Sequence, residues 1–287
     1  MNVSDFVNAS VLGGTYTLLA LSWVVIYQGT RVLNFGIGQL MFFGALMMST
    51  LSLSSLPYGL AIVLAMLGVG VLTGLLYLSM VRPLTGGDAF SSAVLAIGIS
   101  IMLSAAASVI WGSDLRTLPQ PVKLTSVNVL GTRVSSYGLI TLGIAAVVVV
   151  ALIAFQKFTR PGLWMRAAAE NPLLASQRGL NVFAIFAGVW FLSGFLAALG
   201  GISYATTSVV SPSLTQLALR GIAPALVGGF MSIGGATAGA FAIALIEVVG
   251  TRHLGGASED AVVFASLLVL IAVLPRGIGV KSEARRL

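Results

Sequence analysis

Long apolar stretches interrupted by single charges run through the whole chain, and the spacing of those charges marks where helices must cross a membrane. Charge-free runs cover 6–30, 32–81, 89–113, 134–156, 179–219, 221–246 and 261–275. At about 1.5 Å of rise per residue, a bilayer core takes roughly 20 apolar residues. The first, third and fourth runs therefore hold one helix each. The run 32–81 is too long for one crossing and must fold back, with Leu51-Ser-Leu-Ser-Ser-Leu-Pro-Tyr-Gly59 as its polar, Pro- and Gly-containing turn. The expected spans are 10–29, 34–52, 58–80, 91–111, 137–157, 182–205, a broken segment at 218–250, and 260–275. The fold class that follows is all-α: a polytopic transmembrane helical bundle of about eight spans. Gly70 and Gly74 form a GxxxG face for close helix packing.

Two connections are long. The segment 112–136 is of mixed polarity and carries Pro119 and Pro121, whereas 157–181 holds Lys157, Arg160, Arg166, Glu170 and Arg178. Counting Lys and Arg in loops orients the chain. With the N-terminus outside, the inner loops carry Arg31, Arg82 and the four basic residues of 157–181, against Arg116, Lys123 and Arg133 in the outer loop. The tail with Arg276, Lys281, Arg285 and Arg286 also belongs inside, which fails if 218–250 crosses once. Gly228-Gly229 and Gly234-Gly235 offer a solution: a half-helix at 218–231 that dips in, turns at the glycines and returns as 236–250. Such breaks are tolerated only where protein or a water-filled path covers the freed backbone. The alternative is a continuous helix packing through Gly235 and Gly239. Tyr27, Tyr58, Tyr77, Trp111, Tyr137 and Tyr204 fall near span ends, as an interfacial belt requires, while Trp23 and Trp190 are expected to pack between helices.

Composition excludes whole function classes. Hydrophobic residues make up 57% and charged residues 8% of 287 positions, where a soluble domain carries about 25% charged residues. With no cysteine and the single His253, disulfide frameworks, Cys-ligated metals, thiol nucleophiles and multi-His metal sites are absent from the sequence. The net charge of +7 marks cytoplasmic loops in a membrane protein, and nucleic acid is not an expected partner. Asp5 is the only charge before the first apolar run, so no cleaved signal peptide is expected. Within the membrane only Arg220 and Glu247 carry charge, each close to a span end. That scarcity disfavours an ion-driven carrier or an enzyme with paired carboxylates. No Gly-x-x-x-x-Gly-Lys-Ser/Thr loop occurs, so any ATP that drives this protein binds another chain.

The segment 157–181 is the most informative. Arg166 to Glu170 combines strong helix formers with an i,i+4 ion pair, Asn171-Pro172 breaks the helix and opens a second one, and Gly179 ends that. Two short amphipathic helices make either a docking knob or a solvated connector. The pattern Arg166-Ala-Ala-Ala-Glu170-(x4)-Ala175-Ser-x-x-Gly179-Leu180-Asn181 resembles the cytoplasmic loop of the permeases of branched-chain amino acid ABC importers, the LivH/LivM family. Gly13-Gly14-Thr-Tyr-Thr-Leu-Leu-Ala-Leu, Leu33-Asn34-Phe35-Gly-Ile-Gly38-Gln39, Arg82-Pro83-Leu84, Val227-Gly228-Gly229-Phe-Met-Ser-Ile-Gly234-Gly235-Ala-Thr-Ala-Gly239, Glu247 and Leu274-Pro275-Arg-Gly277-Ile resemble further family stretches in the same order. The likeness covers nearly the whole chain and is closest to the LivH-like half.

The resemblance implies one transmembrane domain over 1–287 in a bacterial cytoplasmic (inner) membrane, with 157–181 as the coupling loop seated in a cytoplasmic ATPase. Arg166, Ala167, Ala169, Glu170, Ala175, Gly179 and Leu180 match the family pattern there. It implies a translocation path near Asn34, Phe35, Gly38, Gln39, Gly228, Gly229 and Gly234, with interhelical hydrogen bonding as the alternative role of the two amides. The implied partners are two ABC ATPase subunits holding ATP and Mg, a second homologous permease in a heterodimer, an extracytoplasmic substrate-binding protein and membrane lipid. No catalytic residue, metal or cofactor is expected in this chain. Ile37 and Gln39 stand where the family motif has His and Glu, so urea, short amides and other small organic solutes stand beside branched-chain amino acids as cargo. A self-sufficient channel or secondary carrier of small neutral solutes is the rival from another class. His253 is expected on the surface.

Overall fold

The computed structural model describes residues 3–84, 89–112, 114–120, 126–129, 131–255 and 258–273. The helices are α1 (Val3–Thr30), α2 (Ile37–Leu51), α3 (Tyr58–Leu76), α4 (Ala89–Trp111), α5 (Ser136–Phe158), α6 (Arg160–Glu170), α7 (Pro172–Gln177), α8 (Val182–Ala205), α9 (Leu214–Val227), α10 (Ile233–Leu254) and α11 (Glu259–Val273). A π turn at Tyr77–Val81 prolongs α3. Among the described residues six helices are long and apolar enough to cross a membrane: α1, α3 with its extension, α4 from Val94, α5, α8 and α10. The bundle is thus polytopic and helical, as the charge spacing requires. With 15 and 14 residues, α2 and α9 are shorter apolar helices. The end of the expected last span, Leu274 and Pro275, and the basic tail lie outside the described residues.

Helices that are apolar all round belong in the interior, and α1 does. From Tyr16 to Ile26 every residue is buried, and Trp23 is fully enclosed. Around it α8 packs antiparallel, with Gly200 against Leu18 and Leu19, Ser193 donating to the Ser22 carbonyl at 2.9 Å, and Val189 against Gly29. Gly70 and Gly74 meet Phe191 and Ala187 of α8, so the GxxxG face is a contact face. A Cβ at Gly201 would overlap the Met41 backbone, and one at Gly44 would lie 2.5 Å from Ala198 Cα. Replacing Gly201 with leucine is therefore expected to force α2 off α8 at a cost of about 1–3 kcal/mol or more. A thermal melt in detergent reads this, with Gly98→Leu, whose Cβ meets nothing within 4 Å, as the neutral comparison.

Three features depart from the pattern-based reading. First, α2 starts at Ile37, not at 34, because the Asn34 side chain accepts a 2.9 Å bond from the Gly36 N–H and holds 34–36 in a turn. Second, the connection 112–136 carries a hairpin: β1 (Ser126–Val129) pairs antiparallel with β2 (Thr132–Ser135), turning at Gly131 with φ +83°. Pro121 and Lys123 of that connection lie outside the described residues. Third, Tyr77 and Tyr137 are covered by protein and do not face outward as a belt would; Tyr77 lies tilted against Trp190 at 5.7 Å and meets Phe186 edge-on. Trp190 is buried between helices, as expected, and His253 is exposed.

The broken segment is two helices. Gly229, at φ +74°, closes the turn after α9, and Ser232 caps α10 by accepting from the Gly235 N–H at 3.0 Å. A Cβ at Gly228 would run into the backbone of Gly235 and Ala236, and one at Gly239 would lie 2.6 Å from the Pro224 carbonyl. The two helices therefore lie back to back. Phe230 and Met231, at the corner, contact Tyr27 and Arg31 at the end of α1, while Arg252 near the end of α10 pairs with Asp5 at its start. The segment is broken at the glycines, with each half longer at its free end than the expected 218–231 and 236–250. The geometry sends α11 back toward the end where Arg31 lies.

Candidate translocation and coupling site

Arg31, Arg82 and the basic residues of 157–181 gather at one end of the bundle. Met165 of α6 packs under Gly29, Gln156 bonds Gln28, and Arg82 sits 4.4 Å over the ring of Phe183 at the start of α8. There the chain builds two short helices whose ends are fixed by side chains. Thr159 caps α6, accepting from Gly162 N–H at 3.2 Å, and Pro161 occupies its first turn. Asn171 ends α6 and caps α7, accepting from Leu174 N–H at 2.9 Å, with Pro172 next. Gly179, at φ +82°, closes α7: its N–H bonds Ser176 O at 2.9 Å and the Leu180 N–H bonds Ala175 O at 3.1 Å. That pair is a Schellman motif, which needs a left-handed residue at Gly179.

Of the seven coupling residues, Arg166, Ala167, Glu170 and Gly179 are exposed, Ala169 and Leu180 are half-buried, and Ala175 is buried. Together with Met165 and Ala168, Ala175 seats the knob on the bundle. The expected Arg166–Glu170 ion pair is not among the ion pairs of the described residues. Arg placed N-terminal to Glu is the weaker i,i+4 order, and water competes for both groups. Both charges therefore face outward.

The path residues fall in two places. Asn34, Phe35, Gly38 and Gln39 form the entry to α2, with Asn34 and Gly38 buried, Gln39 half-buried and Phe35 exposed. Phe35 meets Trp23 edge-on at 6.1 Å, the Trp23 indole donates to Ala218 O at 3.2 Å, and a Cβ at Gly38 would touch Thr215 O and Ala218 of α9. Asn34 is buried and committed to its own turn. Gln39 differs: its Oε1 is buried without a hydrogen-bond partner, beside a groove of about 410 Å³ shared with Ser100, Ser104 and Ser108 of α4. Gly228, Gly229 and Gly234 lie at the α9–α10 corner. Gly228 is a packing contact, whereas Gly234 has open space at its Cβ position.

Sequence reasoning placed Arg220 and Glu247 near span ends but did not pair them. In the fold, Arg220 reaches Glu247 at 3.5 Å, Glu259 at 3.2 Å and Asp260 at 2.8 Å, and the Tyr16 hydroxyl donates to Glu247 at 2.5 Å. Glu247 is 5% exposed and Tyr16 1%. One network thereby ties α1, α9, α10 and α11, beside a cavity of about 290 Å³ that Thr15, Tyr204 and Thr251 also line. The signal was present in the glycine break, because a dip and return lays the two charged helices side by side.

Residues 6–274 match the family described as branched-chain amino acid transport system / permease component. The chain belongs to that family. It is 26% identical over 97% of its length to the high-affinity branched-chain amino acid transport system permease protein LivH of Escherichia coli K12, covering 96% of that protein. It is 24% identical to the LivH of Salmonella typhimurium LT2, again over 97% of this chain and 96% of the relative. With the high-affinity permease protein BraD of Pseudomonas aeruginosa it shares 25% identity over 99% of this chain and 97% of the relative. No solved structure matches significantly. This member of the permease family is accordingly an ABC-type transport permease and a multi-pass protein of the inner membrane.

Proposed function

We propose that the chain, as one transmembrane domain over 1–287, is the pathway-forming half of an ATP-driven importer that moves branched-chain amino acids or similarly small polar solutes. A second homologous permease completes the pore as a heterodimer, an extracytoplasmic binding protein delivers the solute, and two cytoplasmic ATPase subunits hold ATP and Mg. The supporting observation is the doubly capped knob at 160–180, set at the basic end of the bundle, with Arg166, Ala167 and Glu170 facing outward. Its small residues admit close docking, and its caps make it stiff enough to transmit a displacement. Motor-driven movement would pass from the knob through the Met165–Gly29 contact to α1 and α8, opening access alternately to the two sides. Family resemblance and the relatives' names support the amino acid cargo.

The groove beside Gln39 contains no charged residue, which suits a solute without net charge passing along hydroxyls and one amide. Replacing Gln39 with leucine is expected to slow uptake about 2- to 10-fold, the worth of one hydrogen bond, while leaving ATP hydrolysis intact. The decisive measurement is uptake into proteoliposomes holding the permease pair with and without the ATPases and ATP. Uptake only in the complete, energised system supports the importer. Uptake by the permease alone would establish the channel or secondary carrier instead.

A further inference from the structure

Beneath the coupling knob runs a second cavity that the translocation path does not use. It measures about 680 Å³ and is walled by Phe155, Pro161, Trp164, Leu180, Ile185 and Leu192. That volume falls within the roughly 300–1,000 Å³ of ligand pockets. No charged residue lines it. Along α8 its wall runs from Asn181 to Leu192, which at about 1.5 Å per residue is roughly 16 Å. A bilayer core is about 30 Å thick, so the groove has the depth of one leaflet. The side facing out is open, with Ala184 and Gly188 exposed and Trp164 at the rim.

Two cations border the groove in sequence: Arg160 precedes Pro161 and Arg178 precedes Gly179, both lining residues, and both arginines are exposed. Neither takes part in an ion pair among the described residues, and Glu170 is the sole carboxylate in 157–181. An apolar slot one leaflet deep beneath unpaired cations matches an amphiphile with a long tail and an anionic head. Anionic lipids of the cytoplasmic leaflet supply such molecules, and basic pockets between helices recognise them. We propose that this groove binds one acyl chain of an anionic phospholipid, its phosphate held by Arg160 and Arg178. The lipid would fill the space between α6 and α8 and steady the knob, so that solute moved per ATP depends on anionic lipid. The choice of leaflet rests on the proposed orientation, with 157–181 facing the cytosol.

The test uses the complete importer in nanodiscs of phosphatidylcholine with or without phosphatidylglycerol, with lipid retention read by native mass spectrometry. Wild-type complex is expected to retain phosphatidylglycerol in preference to phosphatidylcholine. Gly188→Phe puts a ring on the groove wall at a position where a Cβ meets nothing within 4 Å. It is expected to weaken retention about tenfold, as is the combined Arg160→Gln and Arg178→Gln variant. Equal retention of the two lipids, retention unchanged by Gly188→Phe, or a cross-link from position 188 to the second permease would each overturn the proposal. Thiol labelling of an Arg166→Cys complex from each side checks the orientation separately. Exterior labelling would overturn the importer reading and the choice of leaflet, and leave the groove's lipid retention to be judged on its own.

Discussion

Replacing Arg220 with alanine is expected to destabilise the permease by about 3–5 kcal/mol, the cost of stranding a buried charge whose partner has been removed. Glu247 is 5% exposed and has only the Tyr16 hydroxyl besides the guanidinium to hold its charge. The links to Glu259 and Asp260 add little, because those carboxylates are 49% and 69% exposed and water screens them. Glu247→Ala should cost less, since Arg220, 18% exposed, keeps Asp260 at 2.8 Å and Glu259 at 3.2 Å. The informative variant is the double one. Arg220→Met with Glu247→Leu removes both charges and keeps the volume, and such replacements are often neutral or stabilising. The expected thermal melts therefore rank the double variant near wild type, Glu247→Ala below it and Arg220→Ala lowest. An Arg220→Ala protein that melts with the wild type would show that the network holds nothing together.

The same network shows how far the sequence carried the fold. The spans were legible because lipid demands about 20 apolar residues without charge, and 23 charges in 287 positions leave few ways to place them. The break at Gly228-Gly229 and Gly234-Gly235 was legible because the basic tail had to return to the inner side. The start of α2 was not: Asn34 reads as the first polar residue of a helix, and only its bond to Gly36 reveals a turn. Nor was the β1–β2 hairpin, whose eight strand residues carry no alternating apolar signal strong enough to stand out in a polar connection. Tyr77 lies at a span end in sequence, but α8 happens to cover it with Trp190 and Phe186. Which neighbour covers a given face is a tertiary fact.

The candidate site divides along the same line. Caps and breakers are local chemistry, so Asn171, Pro172 and Gly179 were read in their actual roles. Arg166 and Glu170 were read as a pair because spacing permits it; the fold turns both outward. Gln39 is legible from its amide and from the family resemblance of its stretch, whereas the three serines that share its groove recur every four residues on α4 without any such signal. A serine ladder among aliphatic residues is weak evidence until the facing helix is known.

Gly179→Val is expected to separate ATP hydrolysis from transport. At φ +82° the position is left-handed, where a side chain costs about 1–2 kcal/mol and a β-branched one more. No atom lies within 4 Å of its would-be Cβ, so the strain is purely of backbone conformation and cannot be relieved by moving a neighbour. Relief comes instead by opening the Schellman motif, which loses the bonds to Ser176 and Ala175 and frees the junction between α7 and α8. The knob then still docks, since Arg166, Ala167 and Glu170 lie on α6, but its displacement is absorbed at a loosened hinge. In proteoliposomes of the complete importer, solute imported per ATP hydrolysed should fall about tenfold, while the complex still elutes as one assembly. Glu170→Trp attacks the same step from outside, by placing bulk on the docking face. Full uptake in both variants would mean that this segment transmits no force, and the proposed coupling would have to be sought elsewhere in the chain. Gly179→Asn provides the graded comparison: asparagine tolerates the left-handed region better than valine, so its coupling ratio should fall between valine and wild type.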